Sequence, residues 1–319
     1  MQCRLASVVL ALTASSAAAQ TPAADHPAGH AAPVRATAAM PAAPAVPGAR
    51  VVTITARDYA FVAPDTVEAG LTELRLVNAG TELHHVFLVR LDEGKTMRDA
   101  LDAFAAAGPP PAWMHPVGGP NTPVPGGTSS AALRLAAGRY VMICVIPSAD
   151  RMPHLAKGMA HELVVIPAGT PGESASARTS DARTSDVTMT LSDYTFAVST
   201  PLRAGRQLVR VRNSAAQLHE VLFVRLAPGK TAADVAAWVV KPEGPPPGAP
   251  VGGTTPMAQG EENVVPLDLA PGEYAMFCFV PDATDGKEHI AHGMMKQFTV
   301  AAPKKKGAAR GATGAAPTR

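Results

Sequence analysis

The 319-residue sequence predicts an all-β protein: two tandem Greek-key β-sandwich domains, each with one inserted helix. Three observations predict it. Short alternating or wholly apolar runs recur between Gly and Pro turns, the pattern of strands in sandwiches and barrels. The chain matches itself at an offset of about 135 residues, so the unit is present twice. Each copy holds a single stretch of helical periodicity. Composition agrees, because 47% hydrophobic and 17% charged residues with 31 Pro and 27 Gly suit β-rich modules better than helical bundles.

The elements follow in order. Residues 1–19 carry one Arg, an apolar run from Leu5 to Leu12 and the small residues Ala17-Ala18-Ala19, the pattern of a cleaved secretory signal. That run is too short to span a bilayer, so the mature chain is expected in the periplasm or secreted, with no transmembrane segment after cleavage. Cys3 falls in the removed part and away from the end of the apolar run, so no lipid attachment is expected. Residues 20–49 are Ala/Pro-rich and aperiodic, a disordered tether that includes His26 and His30.

The first domain, residues 50–167, has strand signals at VVTITA, TELRLV, HHVFLVRL, AALRL, RYVMICVI and HELVVI. Between them TMRDALDAFAAA places Met97, Leu101 and Phe104 on one helix face. GPPPAWMHPVGGP then reads as an ordered irregular loop. Residues 168–186 form a Ser/Thr/Ala/charged linker. The second domain, residues 187–301, repeats the plan with VTMTL, QLVRVR, HEVLFVRL, EYAMFCFV and QFTV. Its helix, TAADVAAWVV, puts Ala232, Ala236 and Val239 on the equivalent face, and GPPPGAPVGGTTP is the matching loop. Residues 302–319 are a basic disordered tail. A net charge of +2, few aromatics and no basic stripe beyond Lys304 to Lys306 give no support for nucleic acid binding.

The chemistry lies in CVIPSADRMPHLAKGM (144–159) and CFVPDATDGKEHIAHGM (278–294), where a Cys is followed by His-x4-Met in both copies. A disulfide between Cys144 and Cys278 would need Cα atoms within about 7 Å, which does not suit equivalent strands of separate domains. A buried, inert thiol is the bland alternative, but a packing thiol gives no reason for His-x4-Met to recur beside it. A thiolate, two imidazoles and a distant thioether make the trigonal site with a weak axial ligand used in copper electron transfer. The second imidazole must come from upstream, and the self-match supplies one equivalent pair, His84 and His219, each six residues after an Asn.

Asn78 followed by His84, the strand PGEYAMFC and the Cys…His-x4-Met loop resemble the cupredoxins, the type 1 or blue copper family. The resemblance covers both repeats and implies eight-stranded Greek-key sandwiches with copper at one end. Carried over, it assigns His84, Cys144, His154 and Met159 to one site and His219, Cys278, His289 and Met294 to the other. Nine residues separate Cys from His in the first loop and ten in the second, more than in small members of the family. Pro147, Pro153, Pro281 and the Asp285-Gly286 turn are placed to close them.

The resemblance implies an exported electron-transfer protein with up to two coppers per chain, cycling between Cu(I) and Cu(II), and a redox partner protein in the cell envelope. Electrons would leave through a partly exposed edge of His154 or His289, with Asn78 and Asn213 helping to orient the site. Copper sequestration or delivery, or a copper-free binding module, is the alternative use of the same residues. Copper oxidases and nitrite reductases are also built from such repeats, but they need a further centre carried by His-x-His pairs or by a His directly before the Cys. Ile143 and Phe277 stand there and no His-x-His occurs, so an electron carrier or copper-binding protein and no enzyme is expected. His85, which matches Glu220, is expected behind the ligands or in solvent. His161 and His292 are expected in solvent near the site mouth, and His115 has no His counterpart.

Overall fold

The computed structural model describes residues 45–106, 110–169 and 185–303. The expected signal segment, most of both linkers and nearly all of the tail lie outside the described residues. Period-two alternation sets the strands: in β1 (Arg50–Arg57) Val52, Ile54 and Ala56 are buried while Val51, Thr53 and Arg57 face out. There follow β2 (Ala60–Val62), β3 (Thr66–Glu68), β4 (Gly70–Asn78), β5 (Phe87–Leu91), α1 (Met97–Ala105), β6 (Met114–Gly118), β7 (Thr128–Leu135), β8 (Gly138–Ile143) and β9 (Ala160–Ile166). The second repeat gives β10 (Val187–Ser192), β11 (Thr195–Val198), β12 (Gly205–Asn213), β13 (His219–Leu226), α2 (Ala232–Val240), β14 (Gly248–Met257), β15 (Glu262–Leu269), β16 (Gly272–Phe277) and β17 (Met295–Val300). The chain is mostly β.

Two sheets hold these strands, in the orders β11-β10-β12-β15-β7-β4-β1-β2 and β17-β16-β13-β14-β6-β5-β8-β9-β3. Neither sheet stops at the repeat boundary. Matching strands of the two repeats meet there, β15 on β7 through Val264 and Ala132, and β14 on β6 through Met257 and Val117. Within each repeat an apolar core lies between the two sheets, Ile54, Leu74, Leu88 and Met142 in the first and Met189, Val211, Phe223 and Met276 in the second. Tyr140 and Tyr274 are buried in these cores, and each donates its hydroxyl hydrogen to the carbonyl four residues earlier, Ala136 and Ala270. That bond anchors the strand that leads into the cysteine, four residues after the tyrosine.

Each helix starts with a capping box, Thr96 with Asp99 and Thr231 with Asp234. Both helices pack on the outer face of the second sheet. Ala100 is the buried residue of α1, with Met97 and Phe104 packed against the same cluster, whereas Leu101 lies outside that cluster, half-buried. In α2 the packed residues are Ala232, Val235 and Ala236, and Val239 is exposed because the face leaves the sheet before the last turn. The two Pro-rich stretches differ more from expectation: β6 and β14 run through them and carry the contact between repeats.

That contact joins an apolar cluster of Ala132, Leu208 and Val264 to a hydrogen-bonded amide. Asn263, fully buried, accepts from the Gly119 N–H at 3.0 Å and the Thr254 hydroxyl at 2.8 Å, and donates to Val117 O at 2.9 Å. Gly118 has a φ of 91°, and a side chain there would strike Asn263. Among the described residues no helix is long and apolar enough to cross a membrane.

Candidate metal centres

The loop that delivers the upstream histidine is shaped by an asparagine at the end of a strand. Asn78 donates to Glu82 O at 2.8 Å and accepts from the Gly80 N–H at 3.0 Å. Asn213 makes the same pair of bonds, to Gln217 O at 2.8 Å and from Ala215 N at 3.0 Å. The asparagines thus fix the loop that carries the histidine, and they bond to it rather than to a ligand ring.

The long downstream loops close on themselves. Pro147 bridges to Pro153 and Pro281 to Glu288, so the extra residues form small excursions beyond these pairs. The His154 N–H donates to Ile146 O and the His289 N–H to Val280 O, both at 2.9 Å. Each histidine opens a single 3-10 turn, ended by Gly158 (φ 99°) or Gly293 (φ 88°), positions that favour glycine. Met159 N then donates to His154 O at 3.0 Å and Cys144 N to Met159 O at 3.3 Å; Met294 repeats this at 2.9 and 3.2 Å. Both methionines are fully buried, in the core cluster that holds the cysteine of their repeat.

His84, Cys144 and His154 therefore converge, as do His219, Cys278 and His289, and all six are fully buried. In the first group His84 Nδ1 and His154 Nδ1 are 3.0 Å apart and Cys144 Sγ is 3.4 Å from His154 Nδ1. In the second, Cys278 Sγ lies 3.3 Å from His289 Nδ1 and 3.8 Å from His219 Nδ1. The two cysteines are free thiols, which removes the disulfide alternative.

Every imidazole turns Nδ1 inward because its Nε2 is held outside. Asp58 takes His84 Nε2 at 2.8 Å and Glu82 takes His154 Nε2 at 2.9 Å. Asp193 takes His219 Nε2 at 3.0 Å, and Gln217 is 3.1 Å from His289 Nε2. Such outer partners fix ring orientation and tautomer in metal sites. Tyr59 and Tyr194 close the same side, with ring centroids 5.1 and 5.5 Å from those of His154 and His289. The expected partly exposed histidine edge is corrected by this arrangement: Tyr59 and Glu82, or Tyr194 and Gln217, stand between each ring and solvent.

Burial lowers the pKa of His84 and His219, and of His289 to about 4, with His219 beside it adding to the effect. The rings are thereby held neutral, the form that ligates. Burial also pushes the Cys144 thiol up to about 12 and raises that of Cys278. Backbone N–H groups point at both sulfurs, from His85 and Ile146 in the first repeat and from Glu220 and Val280 in the second. A buried thiol beside two imidazole nitrogens suits a soft or borderline cation, and both groups are able to bind copper.

Asp58, Tyr59, Glu82 and their counterparts Asp193, Tyr194 and Gln217 went unread in the sequence, although each pair lies at the repeat offset. His85 and Glu220 differ in type but share one task. His85 Nε2 accepts from the Val145 N–H at 3.1 Å and Glu220 Oε1 from the Phe279 N–H at 3.0 Å, each directly after the cysteine. Burial drives His85 down to about 3 and Glu220 up to about 7. His161 and His292 are partly exposed, beside Asp65 and Asp285, and His115 pairs with Asp92 away from both centres.

No family model matches the chain, and no curated protein matches it. Among solved structures it is similar to dithionite-reduced auracyanin from the photosynthetic bacterium Roseiflexus castenholzii, at 24% identity over 38% of this chain and 100% of that one, with a TM-score of 0.28. It is also similar to a multicopper oxidase, at 15% identity over 82% of this chain and 93% of that one, with a TM-score of 0.24. A third is a copper-containing nitrite reductase from Thermus scotoductus, at 14% identity over 81% of this chain and 63% of that one, with a TM-score of 0.23. The expectation that the chain is no enzyme is corrected here, since the structures matched over 82% and 81% of it are enzymes.

Proposed function

We propose that the chain is an exported copper protein that transfers single electrons through two type 1 centres, one in each cupredoxin-like Greek-key repeat (residues 50–167 and 187–301). One observation carries this reading. In both repeats a thiol and two imidazole Nδ1 atoms converge, all on fully buried residues, with every Nε2 held from outside. His84, Cys144, His154 and Met159 would hold one copper, and His219, Cys278, His289 and Met294 the other. Bound copper supplies a one-electron couple. The protein's part is to keep the ligands in one arrangement for both oxidation states, so that little moves when an electron arrives or leaves. Asp58, Glu82, Asp193 and Gln217 do this for the rings, and the backbone N–H groups do it for the sulfurs. Export rests on the N-terminal signal pattern, and the partner is a redox protein of the cell envelope.

The test is visible absorption of the purified chain titrated with Cu(II), beside Cys144→Ser and Cys278→Ser. An intense thiolate-to-copper band that saturates at two coppers, with one lost in each variant, is the expected result. A folded protein without that band would sink the reading in favour of a Cu(I)-only or copper-free binding module.

A further inference from the structure

We propose that Asn121, a residue of the first repeat, is a positioning residue for the metal centre of the second. The inference rests on the copper reading above and concerns how one centre is held. Asn121 is 3% exposed and lies in the segment after β6, between the bridges of Pro120 to Thr254 and Pro123 to Val251. Its Nδ2 donates to Glu220 Oε2 at 3.1 Å, with Thr254 O at 3.3 Å and Val221 O at 3.4 Å also in reach. Its Oδ1 accepts from the Thr122 N–H at 2.8 Å, its N–H donates to Gly253 O at 3.1 Å and its carbonyl accepts from Ser129. The side chain is thus fixed in one orientation, amide hydrogens toward the second repeat.

Glu220 is the piece it holds. Glu220 follows the ligand His219, its N–H lies 3.5 Å from Cys278 Sγ, and its Oε1 accepts from Phe279 N–H, directly after Cys278. One residue therefore ties the histidine strand to the cysteine strand. A buried carboxyl oxygen without a donor is costly, and Asn121 is the side chain that supplies the donor for Oε2. Without it the carboxyl would turn to find another partner, and Phe279 N–H would lose its acceptor.

The first centre is built differently. His85 offers the Val145 N–H one ring nitrogen and receives no side chain from the second repeat in the described contacts. The second repeat reaches back through Thr255, whose hydroxyl donates to the Val86 backbone carbonyl at 3.0 Å. The chain writes GGPNTP at 118–123 and GGTTP at 252–256, so the second repeat has no asparagine at the matching position. The brace across the boundary is one-sided.

The experiment reads both the brace and the metal. In the metal-free, isotope-labelled full chain, Asn121→Ala is expected to shift the Phe279 amide resonance and to speed its hydrogen exchange about tenfold, while the Val145 amide stays in place. With copper, Asn121→Ala in a Cys144→Ser background is expected to move the charge-transfer band and potential of the second centre. In a Cys278→Ser background it leaves the first centre unchanged. Glu220→His, which installs the residue of the first centre, is expected to remove the effect of Asn121→Ala and serves where Asn121→Ala does not fold. An unmoved Phe279 amide, or equal changes at both centres, overturns the proposal. Absence of any copper band in the parent chain overturns the copper reading instead, because the Phe279 amide still reports the brace.

Discussion

Asp58 Oδ1 stands 2.8 Å from His84 Nε2 while its carboxylate also receives the Thr81 hydroxyl at 2.7 Å and the N–H groups of Thr81 and Glu82. A single side chain at the tip of the β1–β2 hairpin thus orders the loop that carries His84, a candidate ligand, and orients its ring. The donors hold Asp58 far below the usual carboxylate range, the Thr81 hydroxyl contributing most. Asp58→Ala should weaken copper binding at the first centre by roughly 10- to 100-fold, the usual cost of losing such a partner. Asp193→Ala should do the same at the second. Competition titrations with a Cu(I) chelator in single-centre variants measure this, and unchanged affinities would show the carboxylates to be bystanders.

Stability of the metal-free protein should fall as the solution is made acidic from pH 6.5. The sign follows from the buried rings: His84, His219 and His289 have lowered pKa values when folded, so the unfolded chain binds more protons. Their contribution is complete above the ordinary histidine value and is lost as pH falls toward about 4, the value for His289. Glu220 has the opposite sign, because its raised pKa of about 7 makes the folded state the better proton acceptor in this range. Glu220→Gln should therefore steepen the acid loss. Urea midpoints at several pH values between 7.5 and 4.5 decide it; a flat profile contradicts the neutral buried imidazoles.

Asn263→Ala should cost about 2–4 kcal/mol, since it leaves the Gly119 N–H and Val117 O without partners inside the contact between repeats. Equilibrium denaturation gives the number. A loss under about 1 kcal/mol would mean that water replaces the amide, which its full burial argues against.

The β class and the convergence of six donors were legible because they rest on local periodicity and on residue types that recur at one offset. The strands β6 and β14 were not. Both are buried along most of these stretches, Met114 and Val117 in the apolar clusters of the first repeat and Met257 in that of the second, so Met114 to Gly118 and Gly252 to Met257 show no alternation, and Pro116 and Pro250 mimic a loop. Asp58-Tyr59 and Asp193-Tyr194 recur at the repeat offset but sit in hairpin tips, where polar residues are ordinary. His85 was expected behind the ligands or in solvent, but the task it shares with Glu220 escaped for another reason: the fold needs a hydrogen-bond acceptor there, and two different side chains meet that need.

On the proposed electron-transfer function, the burial of His154 and His289 changes where electrons would pass. Tyr59 and Tyr194, each half-buried, are the rings between these histidines and solvent. Both have left-handed backbones, with φ of 71° and 59°, a conformation costing a residue with a side chain about 1–2 kcal/mol. Glycine adopts it freely, so Tyr59→Gly removes the cover while preserving the turn. The loss of the Tyr59 hydrogen bond to Glu82, 2.8 Å long, is offset in part by that relief. Tyr59→Gly in the Cys278→Ser background should exchange electrons faster with a small soluble oxidant, because the His154 edge then meets the reagent directly. Stopped-flow loss of the reduced state measures it, with Tyr194→Gly as the matching test in the Cys144→Ser background. Slower exchange would make the tyrosine the path by which electrons leave, and the cover would then be the contact that a partner uses.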